Sequence, residues 1–95
     1  MSELVISDQP EESRYEAVRE GTLVGHIDYE TEGDILTLTH TIVPEEFGGQ
    51  GVASAMARGV LDDIRVRGLR LVPQCSFVAG YIEKHPDYAD LVAGA

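Results

Sequence analysis

Pro44-Glu45-Glu46-Phe47-Gly48-Gly49-Gln50-Gly51-Val52-Ala53 is the stretch that decides how this 95-residue chain is read. An alternating apolar run ends at its proline, a glycine-rich loop follows, and an amphipathic helix begins behind it. Glycine takes positive φ without a Cβ penalty, so such a loop can turn its backbone N–H groups outward. The helix adds four unpaired N–H groups and the positive end of its dipole. Strand, glycine loop and helix N-terminus together make a receptor for a phosphate or pyrophosphate. A flexible turn is the plain alternative. No Gly-Lys-[Ser/Thr] follows the loop, which excludes a Walker-type nucleotide hydrolase.

Upstream, Ile35 to Val43 alternates and is dense in threonine and β-branched residues, which predicts a strand. Thr22 to Thr31 predicts another, with Leu23, Gly25, Ile27 and Tyr29 alternating against Val24, His26 and Asp28, and Glu32-Gly33-Asp34 turns the chain between the two. Arg14 to Arg19 reads as an earlier strand with Tyr15 and Ala17 on one face, joined through the turn signal Glu20-Gly21. Residues 1–12 are polar and acidic, contain Pro10, and read as an extended or flexible lead-in.

Downstream, Gly51 to about Arg67 has the helical period. Ala53, Met56, Ala57, Val60, Leu61 and Ile64 share one face, and Gly68 stands where a helix ends. Leu69 to Val72 predicts a short strand stopped by Pro73, and Cys75 to Lys84 a second helix that closes before Pro86. Asp87 to Ala93 adds a last helical turn. The order β-β-β-α-β-α implies one α+β domain over residues 1–95, with a mixed, mostly antiparallel sheet and helices packed on it. The first helix crosses over so that strand four lies parallel to strand three. In such sheets ligands bind beyond the carboxyl ends of the strands, where the glycine loop and Cys75 both fall.

The chain is 43% hydrophobic, ordinary for a globular domain and too apolar for a disordered one. Seventeen acidic residues against seven basic give a formal net charge of −10, which argues against a nucleic-acid backbone as partner. That charge suits a cationic amine or lysine-containing peptide drawn in by long-range attraction, or else simply keeps a small protein soluble. The single cysteine rules out an internal disulfide, and the scattered histidines offer no metal set. No apolar run approaches the roughly 20 residues of a bilayer span, and the acidic N-terminus lacks a secretory n-region. The expectation is a cytoplasmic protein without membrane partner.

In that layout the chain resembles the GNAT superfamily of acyl-CoA-dependent N-acetyltransferases. Its signature, [Arg/Gln]-x-x-Gly-x-[Gly/Ala] between strand and helix, is matched at Gly51 and Ala53, whereas Gly48 stands where the family prefers Arg or Gln. His40-Thr41-Ile42-Val43-Pro44, Val72-Pro73-Gln74-Cys75 and Tyr81-Ile82-Glu83-Lys84-His85-Pro86-Asp87-Tyr88 are similar to the motifs of the minimal, YjdJ-type members, and the resemblance covers about residues 14 to 88. It implies an acetyl-CoA-binding N-acetyltransferase acting on a primary amine. The alternatives are a non-catalytic CoA-binding module and an acidic interaction domain with the same fold. Larger members carry extra helices and strands that build the acceptor pocket, and this chain lacks them.

The resemblance also assigns roles. Gly48, Gly49, Gln50, Gly51, Val52, Ala53 and Ser54 would hold the pyrophosphate, and a backbone N–H at Ile42 or Val43 would polarise the thioester carbonyl. Larger members place an Asn and, seven residues on, a Tyr along the last helix; the matching positions here are Cys75 and Ile82, with Tyr81 one residue off. Cys75 opens the second helix, where a thiol is nearer its thiolate; it reads as an acyl acceptor, as a contact to the cofactor sulfur, or as a small buried hydrophobe. His40 shares the alternation of Leu36, Leu38 and Ile42 and reads as a core histidine or as a general base. Cys75 and His40 are the catalytic candidates, on neighbouring strands. Lys84 reads as a phosphate contact or as favourable charge at a helix end. A truncated sheet edge leaves a homodimer open.

Overall fold

The structure, a computed structural model, describes residues 4–94. Among them five strands form one sheet in the order β1-β2-β3-β4-β5, with β1 Leu4–Gln9, β2 Arg14–Arg19, β3 Thr22–Glu32, β4 Ile35–Ile42 and β5 Arg70–Pro73. The first four pair antiparallel, and β5 lies parallel to β4 after the crossover through helix α1, Val52–Val66. Helix α2, Ser76–Lys84, follows β5, and a 3-10 segment Pro86–Leu91 follows α2. The α+β architecture and the parallel fourth-to-fifth pairing agree with the sequence expectation.

One strand was not expected. Of the lead-in, residues 1–3 lie outside the described residues, but Leu4–Gln9 is a paired strand rather than a frayed end. It is stitched down by long-range polar contacts: Tyr29 Oη donates to Asp8 at 2.5 Å and Arg67 Nη2 to Asp8 at 2.6 Å. Ile6 packs so closely on α1 that a Cβ on Gly59 would stand 2.9 Å from its Cγ1. Strand β1 therefore depends on partners about 20 and 60 residues away in sequence, which no local pattern announces.

Both helices lie on one face of the sheet. Met56, Val60, Leu61 and Ile64 of α1 and Val78 and Ile82 of α2 share one buried cluster with Tyr15, Ile27, Leu36, Leu38 and Leu71 from the strands. No helix among the described residues covers the other face. Gly68, at φ +69, ends α1 as expected: its N–H reaches Arg65 O and that of Leu69 reaches Ile64 O, the paired bonds of a Schellman turn.

Two bulges change which side chains face the helices. In β3 the register passes from Ala17↔Gly25 to Val18↔Leu23, so Val24 is the extra residue. Val24 is buried, Leu23 is exposed, and the alternation expected there is broken. In β4 the register passes from Asp28↔His40 to Tyr29↔Leu38, so Thr39 is extra. A bulge re-aims the side chains beyond it. Leu36 and Leu38 are buried on the helix face, Thr41 returns to that face opposite Ile27, and His40 and Ile42 are turned to the open face. His40 does not share a face with Leu36 and Leu38.

Candidate active site at the parting of two strands

Strands β4 and β5 are paired only from Ile35↔Arg70 to Leu38↔Pro73. Cys75 N–H still reaches Leu38 O at 2.9 Å, and then the chain turns into α2 while β4 runs on to Ile42. Pro73 contributes to the parting, because it has no N–H to continue a ladder. A gap therefore opens beside Thr39–Ile42, closed on its far side by β3.

Cys75 stands at the helix-side mouth of this gap as the N-cap of α2. Its Sγ lies 3.1 Å from Thr41 Oγ1, a contact across 34 residues that the Thr39 bulge makes possible. Partial burial pushes the thiol pKa up, but the Thr41 hydroxyl and the amides of Val78, Phe77 and Thr41 favour the thiolate more, and the net direction is down. A half-buried thiol beside a threonine hydroxyl and three amides at a helix N-terminus has surroundings that favour the thiolate. Cys75 and His40 do not meet. The side chain against Cys75 is Thr41, while His40, exposed on the other face, has Nδ1 3.2 Å from Thr39 Oγ1.

The glycine loop leaves β4 through Val43 and Pro44 and a 3-10 turn, Glu45–Phe47. Gly49 and Gly51 take φ of +79 and +76, so here glycine is required. Gly51 caps α1, and the first helical bond runs from Ala55 N–H to its carbonyl at 3.0 Å. The N–H groups of Val52, Ala53 and Ser54 lie ahead of that bond and have no helical acceptor. Gly48 differs: its N–H is taken by Glu45 O at 3.0 Å and is not offered outward. Arg19, from the end of β2, donates to Gln50 Oε1 at 2.7 Å and so brings a guanidinium to a loop whose own first position carries no charge. Ile42 is exposed in register with His26, and Val43 packs half-buried against the core.

A groove of about 530 Å³ runs from these first turns along the seam between α1 and α2. It is lined by Ser54, Ala55 and Arg58 on one wall and by Ser76, Phe77, Gly80, Tyr81, Lys84 and His85 on the other. Arg14, Arg65 and Arg67 are engaged in salt bridges elsewhere, whereas Arg58 and Lys84 have no carboxylate partner among the described residues. Two free cations in a chain of net charge −10 thus face one groove, beside two helix N-termini. The sequence showed each of these residues but not the packing of α1 on α2 that brings Arg58 opposite Lys84. Among the described residues there is no cluster of His, Cys, Asp and Glu that could hold a metal ion.

His85 stacks on Tyr81 with ring centroids 4.2 Å apart, and Tyr88 Oη donates to Asp62 at 2.6 Å. The stack lies within the end of α2, and the Tyr88–Asp62 bond fastens the segment after it to α1. His26 faces the open side, its Nδ1 2.7 Å from Asp28 Oδ1.

A family model described as GCN5-related N-acetyl-transferase matches residues 14–91, and the chain belongs to that family. Acyl transfer to nitrogen is the chemistry that defines it. Among solved structures, the chain is similar to the solution structure of a GCN5-like candidate N-acetyltransferase from Staphylococcus aureus: 29% identity over 100% of this chain and 93% of that one, with a TM-score of 0.71. It shares its fold, at 17% identity and a TM-score of 0.61, with the ribosomal-protein-S18-alanine N-acetyltransferase of Escherichia coli, covering 75% of this chain and 49% of that one. No curated protein matches the sequence. No helix among the described residues is long and apolar enough to cross a membrane.

Proposed function

We propose that this protein binds acetyl-CoA along the α1–α2 groove and transfers the acetyl group to a primary amine. The observation that carries this reading is the parting of β4 from β5 with Cys75 and Thr41 at its mouth, at the head of a groove that carries free cations. The amides of Val52, Ala53 and Ser54, with Gly49 and Gly51 shaping their approach and Arg19 beside Gln50, would hold the pyrophosphate. Arg58 and Lys84 would take the remaining phosphate charge. The pantetheine arm would run toward the gap and bring the thioester to Cys75, with a β4 amide polarising its carbonyl. Thr41 N–H, which meets the Cys75 sulfur, joins Ile42 and Val43 as a candidate for that donor. The motifs around His40, Cys75 and Tyr81–Tyr88 favour the minimal, YjdJ-type branch of the family.

Cys75 has two roles open to it. As thiolate it attacks the carbonyl carbon, the C–S bond to CoA breaks, and acetyl-Cys75 then passes the group to the amine. Alternatively it touches the thioester sulfur while the amine attacks directly. Mass spectrometry after incubation with acetyl-CoA and no amine separates them, because only the first gives a protein heavier by one acetyl group that Cys75→Ala does not acquire. Thiol release from acetyl-CoA that requires an added primary amine tests the reading as a whole, and its absence over a panel of amines would leave a CoA-binding module. That second reading is favoured by the placement of two grooves on the helix side, one between α1 and α2 and one between α1 and β1.

A further inference from the structure

Resting on the reading above, we infer that the acceptor amine enters from the open face of the sheet, where Asp28 binds its ammonium group and His40 takes its proton. Cys75 and His40 stand on opposite faces, yet both border the same gap, because β4 beyond Leu38 has β3 on one side and no strand on the other. A thioester lying in that gap is reachable from two directions. The helix side is filled by Cys75, Thr41 and the groove, which leaves the open side for the nucleophile.

The side chains on that side have the chemistry for a cationic amine. Asp28 is the cross-strand partner of His40, so their Cβ atoms stand about 5 Å apart. Its Oδ1 is held at 2.7 Å by His26 Nδ1, which fixes the carboxylate and leaves Oδ2 without a partner among the described residues. Glu16, opposite His26, is engaged at 2.8 Å by Arg14, opposite Asp28, so its charge is largely answered within the sheet. Arg14, Glu16, His26, Asp28 and His40 line this patch, Glu30 is the next carboxylate on the same face of β3, and Ile42 beside His26 gives an apolar rest for a methylene chain. His26 acts through Asp28 and is a positioning residue.

The step balances as follows. The ammonium loses a proton to neutral His40, and the free amine attacks the carbonyl carbon of acetyl-CoA or of acetyl-Cys75. The new C–N bond forms as the C–S bond breaks. The amine gives up its second proton to the leaving thiolate, and His40 releases the first to solvent.

The test compares two nucleophiles, cadaverine and hydroxylamine, the second of which is uncharged at neutral pH. Asp28→Asn should raise KM for cadaverine by about tenfold, as loss of one charge-assisted contact does, and leave KM for hydroxylamine and the affinity for acetyl-CoA unchanged. His26→Gln should give a smaller rise in the same direction, and His40→Gln should lower kcat for cadaverine. In the protein saturated with CoA, cadaverine should also shift the ring 15N resonances of His26 and His40. Wild-type rates with both amines, together with unaltered kinetics in Asp28→Asn and unmoved resonances, would overturn the open-face entry and leave the acetyltransferase reading standing. Absence of any turnover by the wild type would remove both.

Discussion

Gly80 offers the sharpest separation of what the fold needs from what the groove needs. It sits in the middle of α2, where glycine costs about 0.5–1 kcal/mol relative to alanine. Its φ is not positive, and a Cβ built on it meets nothing within 4 Å. Nothing in the protein therefore requires glycine there, yet the residue lines the groove between Phe77 and Lys84. Gly80→Ala should stabilise the unliganded protein by that same 0.5–1 kcal/mol, which raises Tm by about 2–8 °C in a domain of this size. The added methyl group would stand where a bound chain packs on the bare Cα. The expected consequence is at least about a tenfold loss of affinity for acetyl-CoA, equivalent to roughly 1.4 kcal/mol. Thermal unfolding without ligand and titration with acetyl-CoA measure the two effects on one sample. An alanine variant that binds as tightly as the wild type would refute the placement of the cofactor against α2, and one that is not stabilised would refute the claim that the site is open.

Gly59 should behave in the opposite way: Gly59→Ala gains the same helix propensity but drives its Cβ to 2.9 Å from Ile6 Cγ1, and urea unfolding should show a net loss as β1 is pushed off α1. Thr41→Val removes the hydroxyl that favours the Cys75 thiolate, so the pH midpoint for alkylation of Cys75 should move upward. Because the folded thiol pKa lies below its unfolded value, the wild type should gain stability as pH rises toward the unfolded value, and Thr41→Val should show less of that gain. The tyrosines carry the reverse sign. Burial and then Asp8 push Tyr29 up to about 12, the Asp62 hydrogen bond and then burial push Tyr88 to about 12, and burial and Asp63 raise Tyr15 further still. Their neutral forms stabilise the fold fully below the ordinary tyrosine pKa of about 10, and that contribution should fade above it, seen as alkaline unfolding coincident with late phenolate absorbance.

The sheet-forming segments and the loop were legible because each rests on local pattern. The alternation of Ile35–Val43, the helical period after Gly51 and the stop at Gly68 depend on neighbours within a few residues. What the sequence hid depends on pairs far apart. Strand β1 reads as a polar lead-in until Asp8 meets Tyr29 and Arg67. His40 reads as part of the Leu36–Leu38 face because a bulge at Thr39 leaves no mark in the periodicity. The same bulge explains why Thr41, quoted only as part of a motif, proves to be the residue against Cys75. Three consecutive polar residues, Thr39, His40 and Thr41, within a β-branched strand were the available hint, since alternation there places a polar side chain on either face. Arg58 and Lys84 were visible as charges, but their shared groove exists only once α1 and α2 are packed together.

Calorimetric titration of the purified protein with acetyl-CoA, and with ATP as the control anion, bears most directly on the central claim. A site shaped by Gly49 and Gly51, the first amides of α1 and the groove beyond them should give saturable one-site binding to acetyl-CoA and none to ATP. Absence of binding to acetyl-CoA at millimolar concentration would contradict the account and reduce the glycine loop to a turn.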